Sequence, residues 1–491
     1  MSRSQLLLLI LILLIGLIFR TYQIVERFEF AHDGDLYSWI VKDIVINGHF
    51  RLIGQETSAP GIFIGALFYY LITPFFLLTN MDPVGAIIPV TILGMLTIVS
   101  YYFVFSKLFN IKIGLIAAFL YAVLLSNIGS DRWIVPTNPT NLWAIWYFYI
   151  IINLARGNFN VLPLLGILIG LIWHIHIALI PTLAAVPIAT LVSKKLPTLA
   201  QVTKFAVALF VSSLPLLAFE IKHNFQQTLS VFQNFGQHQQ GAAEGLYKFQ
   251  VVWAVIGKNI NALLFAPKSL PVAQYIFLII LLFTPAILVM QKKILSVKEI
   301  IPLYAWILGI IIFFTLSSSP ISEYYFSNIG VIVLALVSIC LYLLLKSSTI
   351  GRRLVFLLLI VILLKNGYFL LTQQYYNKGY VERKAAVDYI VKDAKLRNFP
   401  CFSINYITSV GENVGFRYFF FLKNAHIAVP GRGSPVYSIV IPDEYAYKEV
   451  KAKFGHIGVI PPTDTPAKEL MMDACSGANT NLTDPMFGYV E

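Results

Sequence analysis

Apolar runs of roughly 15 to 22 residues follow one another along most of the chain, each about the length a helix needs to cross a hydrocarbon layer about 30 Å thick. Strands of a membrane barrel would be shorter and would alternate in polarity. With 58% apolar and 12% charged residues, the chain lies outside the range of soluble domains. This predicts an all-α polytopic membrane protein of about eleven to twelve membrane helices, with a small extracytoplasmic α/β domain at the C-terminus.

A net charge of +12 would suit nucleic acid, but many of the cations sit in short loops between apolar runs, where they set topology. Nucleic acid is therefore not expected as a partner. The cation-bearing loops are 107–112, Arg156, Lys194 with Lys195, 291–293 and 346–353, and the positive-inside rule places them in the cytoplasm. Residues 32–60, 130–141, 174–176, 220–271, 317–325 and everything beyond 372 then share the outer face. Crossings are expected near 5–24, 84–106, 112–127, 141–155, 161–175, 178–193, 200–219, 273–290, 300–317, 324–345 and 353–372. Residues 61–79 cannot cross without inverting every later loop. They read as a re-entrant or shallow helix broken near Thr73-Pro74.

The first run, 6–19, is followed by Arg20-Thr21-Tyr22-Gln23 with no small-residue cleavage pair, so it reads as an uncleaved helix. Of the three cysteines, Cys340 falls in an apolar run. Cys401 and Cys475 fall in the polar C-terminal region, where an oxidising compartment would permit a bridge.

The outer loop 26–60 carries a helix of its own, because Leu36, Trp39, Ile40 and Ile44 recur at three- and four-residue spacing, with Lys42, Asp43 and Asn47 opposite. Gly48 would stop it. Such a helix is expected in the membrane interface with Trp39 at headgroup depth. A second stretch, 226–249, rich in Gln and Gly, reads as interfacial and mobile. The composition shifts near 375, dividing a membrane part, 1–374, from a soluble part, 375–491, in which 385–396 is helical and 401–407 and 438–441 are strands. No Gly-rich nucleotide loop occurs in it.

Candidate chemistry gathers on the outer face. Asp33 and Asp35 would serve as a general base with a second carboxylate that orients the acceptor or helps hold a metal. Asp35 precedes the loop helix and serves equally as its N-cap. In Asp131-Arg132-Trp133 the arginine would hold a phosphate, and Asp131 would supply a further acid or metal ligand. An interfacial salt bridge beside a Trp anchor explains the same residues. A divalent cation, if the protein uses one, would fall to Asp33, Asp35 and Asp131. His174 and His176 would contact an anionic leaving group, yet two positions apart on a helix they cannot share a face, and structural histidines are the alternative. Glu220 and His223, and Glu323, Tyr324 and Tyr325, end apolar runs, where they would line a substrate pocket or only snorkel to the interface.

The chain resembles lipid-carrier-dependent glycosyltransferases of the GT-C superfamily, the group that includes protein O-mannosyltransferases and aminoarabinose transferases. Asp33, Lys42-Asp43-Ile44, Asn47-Gly48-His49, Leu52-Ile53-Gly54, Thr57-Ser58-Ala59-Pro60-Gly61 and Leu67-Phe68-Tyr69-Tyr70 are similar to the first outer loop of bacterial members. Pro215, Phe219, Glu220 and His223 match a Pro-x-x-x-Phe-Glu-x-x-His pattern, and Glu323-Tyr324-Tyr325-Phe326 a late Tyr-rich motif. The resemblance covers about residues 1–375. It departs at Gly34, which separates acids that are often adjacent, and at Gly65-Ala66, where relatives tend to have Gly-Pro.

The resemblance implies a polyprenyl-phosphate-linked sugar donor, an acceptor hydroxyl on a glycan, lipid or protein, membrane lipids as surroundings, and Asp33 as base in a multi-pass plasma-membrane enzyme. The rival is a transporter or flippase, since buried charges also mark substrate pathways. A transporter would show two related halves with paired broken helices. No such internal repeat is seen in the sequence.

Overall fold

A computed structural model of the chain describes residues 2–57, 60–236, 245–268, 270–271, 275–276, 279–280, 284, 294–317, 321–431, 433–446 and 448–482. The crossing expected near 273–290 falls largely outside these residues. So do the loop 291–293, Ser58, Ala59, and residues 237–244 of the stretch expected to be mobile; that stretch is otherwise helical, Gln226–Gly236 and Gly245–Phe265.

The chain divides into two compact units, one of residues 1–22, 51–68 and 88–373, the other of residues 23–50, 69–87 and 374–491. The first is helical. Arg3–Thr21, Pro83–Leu108, Val297–Leu316, Glu323–Ser347 and Thr349–Thr372 are long and apolar enough to cross a membrane, and two bent pairs bring the number to seven among the described residues. The all-α membrane architecture is as expected, but fewer helices reach full length. Thr140–Ala155, of 16 residues, rises only about 24 Å at 1.5 Å per residue.

The bends have local causes. Ile111–Val123 meets Leu125–Arg132 at 65° where Leu124 turns extended, with ψ at 126°. Leu199–Ser212 meets Leu214–Lys222 at 60°, and Pro215 in the first turn of the second helix has no N–H to carry the ladder across. The break expected at Thr73-Pro74 does not occur. The helix Leu67–Leu78 runs through Pro74, and the Thr73 hydroxyl donates to the Tyr69 carbonyl at 2.6 Å. At 12 residues, about 18 Å, it is too short to cross.

Several polar groups inside the helical unit find partners there, as an environment without water favours. The fully buried Trp306 donates through Nε1 to Asn328 Oδ1 at 2.8 Å, and Asn366 Nδ2 donates to the Val123 carbonyl at 2.9 Å. Arg156 Nε donates to Glu299 Oε1 at 2.6 Å.

The second unit holds a four-stranded sheet in the order Ser403–Thr408, Val436–Ile441, Ile457–Ile460, Ala452–Phe454, whose first pair is parallel and whose other pairs are antiparallel. The helix Tyr380–Leu396 buries Val387 and Ile390, while Ile439 and Val440 are buried on the sheet. Cys401 and Cys475 form a disulfide across 74 positions. Residues 23–50 and 69–87 complete this core. Phe28 stacks on Tyr380 at 5.4 Å, Phe30 lies 4.8 Å from Phe419, and the Phe28 carbonyl accepts the Tyr380 N–H at 2.9 Å.

Trp39 corrects its expected place. It is 4% exposed, with Tyr418 and Phe421 each at 5.5 Å, so its indole is a core residue and not a headgroup anchor. Asp43, expected on the polar side, is buried too, and its Oδ1 accepts Asn47 Nδ2 at 2.8 Å and pairs with His49 Nδ1 at 3.0 Å.

Candidate active site

The two acids stand on the first turn of the helix His32–Ile46, whose N-cap is Ala31, without a side-chain cap. The expected N-cap role of Asp35 is therefore corrected: the helix starts four residues earlier, and both carboxylates lie where a helix dipole favours negative charge. Positions two apart point to different sides. Asp33 is 38% exposed with His32 Nδ1 at 3.7 Å, whereas Asp35 is buried. Gly34 between them is required by packing, because a Cβ there would come within 2.7 Å of the Phe30 ring.

Around these acids the second unit supplies residues that the sequence reading did not single out. Arg383, buried, donates through Nη1 to the carbonyls of Glu412 and Val414 and through Nε to the Lys378 carbonyl. Burial pulls its guanidinium below the ordinary arginine range, and the charges of Glu412 and Asp35 are among those that oppose this. Tyr37 is pushed well above the usual tyrosine range by burial first and by the Asp33 charge second, so its hydroxyl stays neutral. Tyr418 is raised by burial and then by Asp82 and Asp35. No sequence signal marked Arg383, which lies just before the helix expected over 385–396 and inside the one observed, Tyr380–Leu396.

The remaining candidates lie in the helical unit, and the structure gives several of them structural work. Asp131 is buried: Oδ2 accepts Arg20 Nε at 2.8 Å and Nη2 at 2.5 Å, and Oδ1 accepts the Tyr121 hydroxyl at 2.8 Å. Both oxygens are engaged, which argues against the expected metal ligand or second acid. Arg132 donates to the carbonyls of Arg20 and Tyr22 at the C-terminal end of the first helix, where a cation suits the dipole.

His174 and His176 are both buried and part company, as their spacing required. His174 Nδ1 accepts the Leu67 N–H at 3.4 Å, and the imidazole fits only because Gly65 has no side chain; a Cβ would lie 2.2 Å from Nδ1. His176 caps the following turn, its Nδ1 accepting from Ala178 N at 3.0 Å, so the neutral ring carries its proton on Nε2. The rings of Tyr324 and Tyr325 lie 5.4 and 4.9 Å from it. Glu220 is buried, with Oε2 accepting the Thr228 N–H at 3.3 Å and Oε1 without a hydrogen bond among the described residues. His223 stacks on Phe219 at 4.1 Å, and its Nδ1 donates to the Phe219 carbonyl. Glu323 is exposed and ion-paired with Lys258.

Among the described residues, the group with ligand atoms close enough to hold a metal ion is Asp443, Glu444 and His456, within 4.8 Å of one another in the second unit. It contains none of the three acids expected from sequence.

Solved structures similar to this chain include two of one protein. One is ArnT from Cupriavidus metallidurans bound to undecaprenyl phosphate, with a TM-score of 0.55 and 12% identity over 94% of this chain and 98% of that one. The other is the same protein in the apo state, with a TM-score of 0.53 and 12% identity over 93% and 97%. No protein-family model and no curated protein matches the chain. The chain shares the fold of that protein over nearly its whole length.

Proposed function

We propose that the protein is an integral-membrane glycosyltransferase that moves a sugar from a polyprenyl-phosphate donor to an acceptor hydroxyl on the outer face of the membrane. The observation that carries this reading is an accessible carboxylate, Asp33, two positions from a buried one, Asp35, on the first turn of the helix His32–Ile46, in a chain with the fold of a protein solved bound to undecaprenyl phosphate.

In this reading Asp33 takes the proton of the acceptor hydroxyl as that oxygen attacks the anomeric carbon. The bond from that carbon to the phosphate oxygen breaks, and its electron pair leaves with the lipid phosphate. Asp35, beside the Arg383 charge, holds the helix start in place. The departing phosphate needs positive charge or a hydrogen-bond donor and no acid. The Cys401–Cys475 disulfide supports an extracytoplasmic place for the second unit, because bridges persist in oxidising compartments.

Transfer from a polyprenyl-phosphate sugar, measured in proteoliposomes, tests this reading. Asp33→Asn should lower the rate by about 10²–10⁴-fold, the usual contribution of a general base. Full activity in that variant would put the base elsewhere.

A further inference from the structure

We propose that a cavity of about 150 Å³ in the helical unit binds one uncharged sugar ring through a wall of side-chain amides. Four asparagines, Asn127, Asn138, Asn141 and Asn259, line it, and its aromatic members are Tyr101, Trp133, Tyr324 and Phe326.

The amides are divided between building the wall and facing a guest. Asn138 Nδ2 donates to the carbonyls of Ser130 and Trp133 at 3.0 and 2.9 Å, and Asn259 Nδ2 donates to the Glu323 carbonyl at 2.6 Å. Their amide oxygens remain as acceptors. Asn141, 9% exposed, makes no side-chain hydrogen bond to another described residue, so its donor and acceptor are both open to the cavity it lines. A buried amide left without a partner costs about 1–3 kcal/mol, which a ligand or water offsets. Ser126 and Thr137 add hydroxyls to the same wall.

Charge decides what kind of ligand fits. The one charged lining residue, Glu323, is neutralised by Lys258, and no cation lines the cavity. A phosphate would find no counter-charge there. A ring bearing several hydroxyls, each both donor and acceptor, matches the amides, while its C–H face matches Trp133 and Tyr324, whose rings meet edge to face at 6.1 Å. At about 150 Å³ the space is well below the roughly 300–1,000 Å³ of drug-sized pockets, which suits a single ring. This extends the transferase reading by assigning a sugar, and not a phosphate, to the neighbourhood of Glu323 and Tyr324.

The binding test does not depend on that reading. Methyl glycosides of glucose, mannose and galactose are titrated against the full-length protein in nanodiscs by saturation-transfer NMR, with inorganic phosphate as competitor. At least one glycoside should give a signal, and Asn141→Leu and Trp133→Ala should each reduce it at least fivefold. Trp133 is 46% exposed, so its truncation leaves the fold intact should Asn141→Leu fail to fold. Asp33→Asn should bind as the wild type does. No glycoside signal, equal signals in the variants, or displacement by phosphate would each overturn the proposal. Where transfer is measurable, a tenfold higher KM for the lipid-linked donor in Trp133→Ala assigns the cavity to the donor's sugar, and a tenfold higher KM for acceptor assigns it to an acceptor glycan. Unchanged KM for both would contradict it.

Discussion

Arg20 and Asp131, 111 positions apart in the chain, meet inside the helical unit with Nη2 2.5 Å from Oδ2, their side chains 0% and 3% exposed. Arg20 also donates through Nη1 to the carbonyls of Gly16 and Ala122, at 3.2 and 3.1 Å. A buried pair with this many bonds fixes how two helices meet, and removing either partner strands a charge.

Arg20→Ala should therefore destabilise the protein by about 3–5 kcal/mol, the range for an uncompensated buried charge. Arg20→Met with Asp131→Leu should regain much of that loss. Thermal unfolding in detergent compares them. A fully stable Arg20→Ala would show that the pair does not hold the helices together.

Asp33→Asn and Asp35→Asn should separate chemistry from support. Asp33 is exposed, so its substitution should lower turnover and leave the melting temperature alone. Asp35 is buried among the second unit's side chains, and Asp35→Asn should cost about 1–3 kcal/mol of stability. Parallel measurement of rate and unfolding would refute the division if both variants behaved alike.

Gly65→Ala places a Cβ 2.2 Å from His174 Nδ1 and must displace the imidazole. The expected loss is about 1–3 kcal/mol, as for other overpacked sites. Adding His174→Ala should recover part of it, and a double-mutant cycle with no coupling would remove the argument.

Cys401→Ser should lower the stability of the second unit by about 2–5 kcal/mol. The freed Cys475 should become reactive to maleimide. Cys340 is the internal control, being a free cysteine in the wild type. Equal maleimide labelling before and after reduction would mean that the bridge does not form in the native protein.

What the sequence made legible follows from range. Apolar length and cation-bearing loops are local signals, and they led to a helical membrane protein with a C-terminal sheet unit. The helix 385–396 and the two strands also lie close to Tyr380–Leu396, Ser403–Thr408 and Val436–Ile441. Illegible were contacts between distant positions. Asp131 looked like a candidate ligand because Arg20 is invisible from its neighbourhood. Trp39 looked like a lipid anchor because Tyr418 and Phe421 come from the far end of the chain. Asp35 reads equally as a cap or as a second acid because nothing local shows that the helix begins at His32. Helix length was misjudged in the opposite way: Pro74 promised a break, but a nearby threonine hydroxyl satisfies a carbonyl in that turn.

The second unit is woven from residues 23–50, 69–87 and 374–491. During translation its first two strips emerge long before the third, and Phe28, Phe30 and Trp39 must wait without their partners Tyr380, Phe419 and Tyr418 for about 350 to 390 further residues. A nascent chain cut short before Tyr418 would leave Phe30 and Trp39 without those rings and present them bare to its surroundings, an aromatic flag of an unfinished copy.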